Sequence, residues 1–123
     1  MLSDADVAKL CHGRVIKAEV YQSSGKDAAG PHYAVILDTD EQVKAFDNYF
    51  VAVISHNDTI DSTFIIPVPP KTGLTGFIVC SWVTEVQLPG ITQVCGKLDP
   101  PEMVGVLRMV RAARQAKRGS TQS

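Results

Sequence analysis

Apolar and polar positions fall in blocks along the chain, and the period of each block predicts an element. "RVIKAEVY" (14–21) alternates weakly, with Val15 or Ile16, Ala18 and Val20 apolar among charged neighbours, which predicts a strand. "HYAVIL" (32–37) and "YFVAVIS" (49–55) are almost continuously apolar, the pattern of buried strands. "STFIIPV" (62–68) predicts a further strand that Pro67 pushes towards a sheet edge, because proline cannot donate to a ladder. "FIVCSWVTEVQL" (77–88) predicts a long strand with room for a bulge and Trp82 at its middle, and "VCGKLD" (94–99) a short closing strand.

Three stretches carry helix signals. In "SDADVAKLCHG" Ser3 or Asp4 can cap a short helix with Val7, Leu10 and Cys11 as its apolar stripe and Gly13 as its stop. His12 then falls near the helix end, where a cation is favoured. The acidic "DTDEQVKAFDN" predicts a short helix started by Thr39 or Asp40. The last helix has Asp99 as cap, Pro100 and Pro101 in its first turn, and Met103, Val106, Leu107, Val110 and Ala113 at helical spacing. The loop "QSSGKDAAG" joins the first two strands, and its small residues predict a mobile gate over 22–31. Several strands with turn signals and a terminal helix predict a mainly β fold, a small curved barrel with peripheral helices. We read residues 1–118 as one domain and 119–123 as a frayed tail.

Composition narrows the class. With 123 residues, 45% of them hydrophobic and 20% charged, the chain has ordinary globular usage. No apolar run reaches the ~18 residues of a membrane helix. The start carries two aspartates and no apolar core, so a cytoplasmic protein is expected. Three cysteines without C-x-x-C spacing speak against a disulfide framework or a cysteine zinc site, and predict mostly buried thiols. Residues 1–107 hold seven Lys/Arg against thirteen Asp/Glu, whereas Arg108, Arg111, Arg114, Lys117 and Arg118 make the end basic. That run suits a helix dipole and a soluble surface, or contact with RNA.

Taken in order, "GRVIKAEVY", "GKDAAGPHYAVILD", "FVAVISH", "TGLTGFIVCSWVTEV" and "CGKLDPPEMVGVLRMV" resemble the PemK/MazF family of toxin–antitoxin toxins, Kid among them, over roughly residues 13 to 112. The resemblance implies an SH3-like barrel, a homodimer, and cleavage of single-stranded RNA without metal or cofactor, blocked by a cognate antitoxin. It places the family arginine on His32, the following proline on Tyr33, the catalytic threonine on Ser55 and its neighbour on His56. A first-loop histidine falls on Lys26, and the Kid-like arginine and aspartate around the long strand's cysteine fall on Val79 and Ser81.

Metal-free cleavage makes the RNA 2′-hydroxyl the nucleophile, so the protein must remove its proton, protonate the leaving 5′-oxygen and stabilise charge on phosphorus. Histidine can take either proton role near neutral pH. His32 and His56 would divide these roles, with Lys26 as cation, Ser55 as hydrogen-bond donor and Tyr33 as a base-stacking ring. In a regular strand residues 55 and 56 point to opposite faces, so His56 needs a bulge or turn to join them. The plain alternative makes both histidines loop-end residues, and Trp82 core or interface. It leaves a catalytically inactive barrel that binds nucleic acid or a protein partner.

Overall fold

The computed structural model describes residues 2–21, 28–56 and 62–122. Six strands, β1 (Arg14–Tyr21), β2 (Ala28–Ile36), β3 (Asn48–Ser55), β4 (Ile65–Pro67), β5 (Phe77–Gln87) and β6 (Ile91–Lys97), form one sheet in the order β4-β5-β3-β2-β1-β6. Every pairing is antiparallel. Helices α1 (Asp4–Ala8), α2 (Asp40–Ala45) and α3 (Pro100–Gln122) lie around it.

The sheet curls, because β1 touches β5 although β2 and β3 separate them in the strand order. Alternation then sorts side chains into two cores. Ile16, Ala18 and Val20 of β1, Ala34 and Ile36 of β2, and Val51 and Val53 of β3 fill the inside of the curl with Val86 and Ile91. Their neighbours Val15, Val35, Ala52 and Ile54 point the other way and pack with Ile78, Leu98, Met103, Val106 and Val110 beneath α3. The buried stripe of α3 is Met103, Val106, Val110 and Ala113. Leu107, expected in that stripe, is 37% exposed, because it sits one position beyond Val106 on the helix surface.

Local chemistry explains the helix starts. Thr39 caps α2 through a capping box in which its hydroxyl accepts from the Gln42 N–H and the Gln42 side chain accepts from the Thr39 N–H. The Ser3 hydroxyl accepts from the Asp6 N–H at the head of α1. At α3 the Asp99 carbonyl accepts from the Met103 N–H, and the Glu102 carboxylate accepts from the Asp99 N–H at 2.7 Å. Lys71 ties the Pro70–Thr72 turn, which lies ahead of β5, to this helix by ion pairs with Asp99 and with Glu102.

Differences from the sequence reading have physical causes. Residues 62–64 wind into a 3-10 turn and β4 keeps only Ile65–Pro67, at the sheet edge that Pro67 requires. Strand β2 begins at Ala28, since a register shift at Val20/Tyr21 carries pairing past Gly30 and Pro31. Residues 28–31, expected as the end of the gate, therefore belong to β2. Strand β6 begins at Ile91 because Ala18 and Lys17 of β1 pair with Ile91 and Gln93. Helix α3 continues past Arg118 into the segment expected to fray. Helix α1 stops at Ala8, so His12 lies beyond it. There its Nδ1 meets two carbonyl oxygens of the β2–α2 connection, that of Leu37 at 3.2 Å and that of Asp38 at 3.0 Å.

Candidate active site

The β2–β3 register pairs Ala34 with Val53, Val35 with Ala52 and Ile36 with Val51. The ladder ends at Ala34–Val53, two residues short of His32 on β2 and of Ser55 on β3. Both belong to the alternation that fills the inside of the curl, His32 with Ala34 and Ile36, Ser55 with Val51 and Val53. Alternation therefore gives both residues inward positions, at the same end of β2 and β3. His32 is half-buried, and Ser55 is a buried polar residue at 8% exposure.

The third group on this face is Trp82. On β5, Val79 pairs with Val53 while Val83 pairs with Ala52, so residues 80–82 bulge out of the β3 ladder. The bulge lays the Trp82 indole against His32 in an edge-to-face contact, with centroids 5.5 Å apart and planes at 63°. Trp82 also packs against the inner core, so its reading as a core residue holds for one side of the ring. The sequence reading expected a bulge in this strand with Trp82 at its middle, but not the contact of Trp82 with His32, which depends on how the separate strands come together.

The remaining candidates are distributed more widely. His56 follows the end of β3, is exposed, and its Nε2 lies 3.0 Å from the Thr75 hydroxyl in the turn before β5. Gly76 makes this contact possible: at φ +107° it lies so close that an added Cβ would stand 2.8 Å from the Ser55 carbonyl oxygen. Tyr33 alternates to the other face, where it packs in the core beneath α3 and takes Lys17 Nζ at 5.5 Å from its ring centroid. Lys26 and the gate residues 22–27 lie outside the described residues. Arg108, Arg111 and Arg114 are exposed on α3, which covers the opposite face of the sheet from His32.

Burial decides against a cysteine nucleophile. It pushes the Cys80 thiol up to about 11 and also raises Cys95, so both hold their protons at neutral pH. Among the described residues no cluster of three His, Cys, Asp or Glu side chains is placed to hold a metal ion.

The antiparallel six-stranded sheet with its C-terminal helix is the fold of MazF-type endoribonuclease toxins. An endoribonuclease from a mycobacterial species, solved in complex with its cognate antitoxin, superposes with a TM-score of 0.71 over 86% of this chain and 95% of its own, at 11% identity. The Mycobacterium tuberculosis toxin MazF-mt6 matches with a TM-score of 0.67 over 83% and 96%, at 15% identity. A MazE–MazF complex from Deinococcus radiodurans matches with a TM-score of 0.64 over 84% and 92%, at 10% identity. At the sequence level no family model and no curated protein matches. No described helix is long and apolar enough to cross a membrane.

Proposed function

We propose that this chain is a toxin of a toxin–antitoxin system, a growth inhibitor that cleaves single-stranded RNA by attack of the RNA's own 2′-hydroxyl. The reading is supported by the inward strand positions of His32 and Ser55, at the same end of neighbouring strands of a MazF-like sheet. One imidazole of the His32/His56 pair removes the 2′-proton and the other protonates the departing 5′-oxygen, while the Ser55 hydroxyl and Lys26 steady the phosphate. The O2′–P bond forms as the P–O5′ bond breaks, leaving a 2′,3′-cyclic phosphate and a free 5′-hydroxyl. No step needs a bound ion or cofactor. A cytoplasmic homodimer and a cognate antitoxin belong to the same reading, supported by similar folds solved with an antitoxin or with MazE.

Expression in bacteria tests it: wild type should arrest growth and cut a single-stranded RNA pool, and His32→Ala or Ser55→Ala should relieve both. Loss of either proton-transfer group should cost about 100-fold or more in cleavage rate. The low exposure of Ser55, with the acidic balance of residues 1–107, favours a second reading as an inactive barrel that binds nucleic acid or a protein. A harmless wild type that leaves the RNA intact would decide for that one.

A further inference from the structure

Two contacts fix the His32 imidazole. Its Nδ1 lies 3.2 Å from the Gly30 carbonyl oxygen. A carbonyl only accepts, so Nδ1 carries the proton of the neutral ring and Nε2 is left with a lone pair. Gly30 holds φ +88° where β2 shifts register against β1, Val20 facing Gly30 and Tyr21 facing Ala28. A left-handed backbone thus aims the carbonyl that His32 uses, and a side chain there would strain it. From the other side, Trp82 closes on the ring edge-to-face at 5.5 Å. Among the described residues the strand partners of this contact carry no charge. Across β1 His32 meets Ala18, while Lys17 and Glu19 alternate to the other face; β5 offers Trp82, and His56 is engaged with Thr75.

We infer that Gly30 and Trp82 are positioning residues that lock His32 as the Nδ1–H tautomer, making its Nε2 the proton-accepting atom of the site. The inference rests on the nuclease reading and gives its two histidines distinct roles. Nε2 of His32 takes the 2′-hydroxyl proton as O2′ bonds to phosphorus, and His56 gives its proton to the departing O5′. Trp82 limits the swing of the ring, so the acceptor keeps one direction while RNA enters.

The full-length protein can be tested without RNA. Long-range nitrogen–proton NMR should show His32, in its neutral form, with a protonated Nδ1 and a bare Nε2. Trp82 is the sole tryptophan, so its emission should fall as the adjacent imidazole takes up a proton, and His32→Gln should abolish that pH dependence. Trp82→Phe should lower kcat about tenfold with KM within twofold, and Gly30→Ala, whose Cβ would meet no heavy atom within 4 Å, should make the two tautomers mix. A wild-type His32 protonated at Nε2, or Trp82 emission equally pH-dependent in His32→Gln, overturns the inference. If RNA is still cut in that event, the nuclease reading stands alone. If wild type is inert towards RNA, that reading falls, and with it the role given to Nε2.

Discussion

Gly76→Ala isolates the turn that braces the site. The added Cβ would stand 2.8 Å from the Ser55 carbonyl oxygen and 3.1 Å from His56 Cδ2, on a backbone with φ +107°. Gly73, three residues earlier in the same turn, has φ +76° and no heavy atom within 4 Å of its Cβ position. Both alanines incur left-handed strain of about 1–2 kcal/mol. Only the one at 76 must also displace backbone, an overpacking cost of about 1–3 kcal/mol. The expected losses are therefore about 2–5 kcal/mol at Gly76 and about 1–2 kcal/mol at Gly73. At roughly 3–5 °C per kcal/mol for a chain of this size, calorimetry should separate the two melting temperatures by about 3–15 °C. Because Ser55 and His56 are the groups pushed, RNA cleavage should fall in Gly76→Ala and persist in Gly73→Ala. Equal melting temperatures for the two variants would refute the close approach and the brace built on it.

Met103→Ala removes a side chain that is 2% exposed in the core beneath α3, and denaturant titration should show a loss of about 2–5 kcal/mol. Cys80, with its thiol pushed up to about 11 by burial, should resist iodoacetamide at pH 8 in the native protein, while partly exposed Cys11 reacts, as mass spectrometry of peptides will show. The Glu102 carboxyl is held below its ordinary value of 4.5, first by the hydrogen bond from Lys71 and then by the Asp99 N–H. A depressed carboxyl adds stability that is present above its unfolded value and lost as pH falls through the folded one. The melting temperature should therefore drop less between pH 5 and pH 3 in Glu102→Gln than in wild type, by a margin that shrinks in high salt.

Much of the fold is legible because period and caps agree. β1 and β3 match their apolar blocks, and Thr39, one of the two starts expected for α2, is its N-cap. Where long-range pairing overrides local pattern, legibility ends. β2 extends back over Gly30 and Pro31 because β1 supplies partners there, and β6 extends to Ile91 for the same reason. The site divides in the same way. Alternation alone puts His32 and Ser55 on inward positions, but their place at the same end of neighbouring strands follows from a register that only the folded sheet defines. Tyr33 reads as a neighbour of His32 along the chain, yet strand geometry sends the two rings to opposite faces. The bulge at Trp82 is legible in the long strand, but its contact with His32 is not, because it joins residues fifty positions apart.

The place of β1 between β2 and β6 bears on how the chain matures. Arg14 donates to the carbonyl of Cys95, 81 positions away in sequence, and β1 pairs with β6, so one flank of β1 stays open until β6 has left the ribosome. Until then the Val and Ile residues of β1 have an unsatisfied edge, a target for chaperones that hold nascent strands. Translation that stalls before β6 would release an aggregation-prone fragment rather than a folded protein.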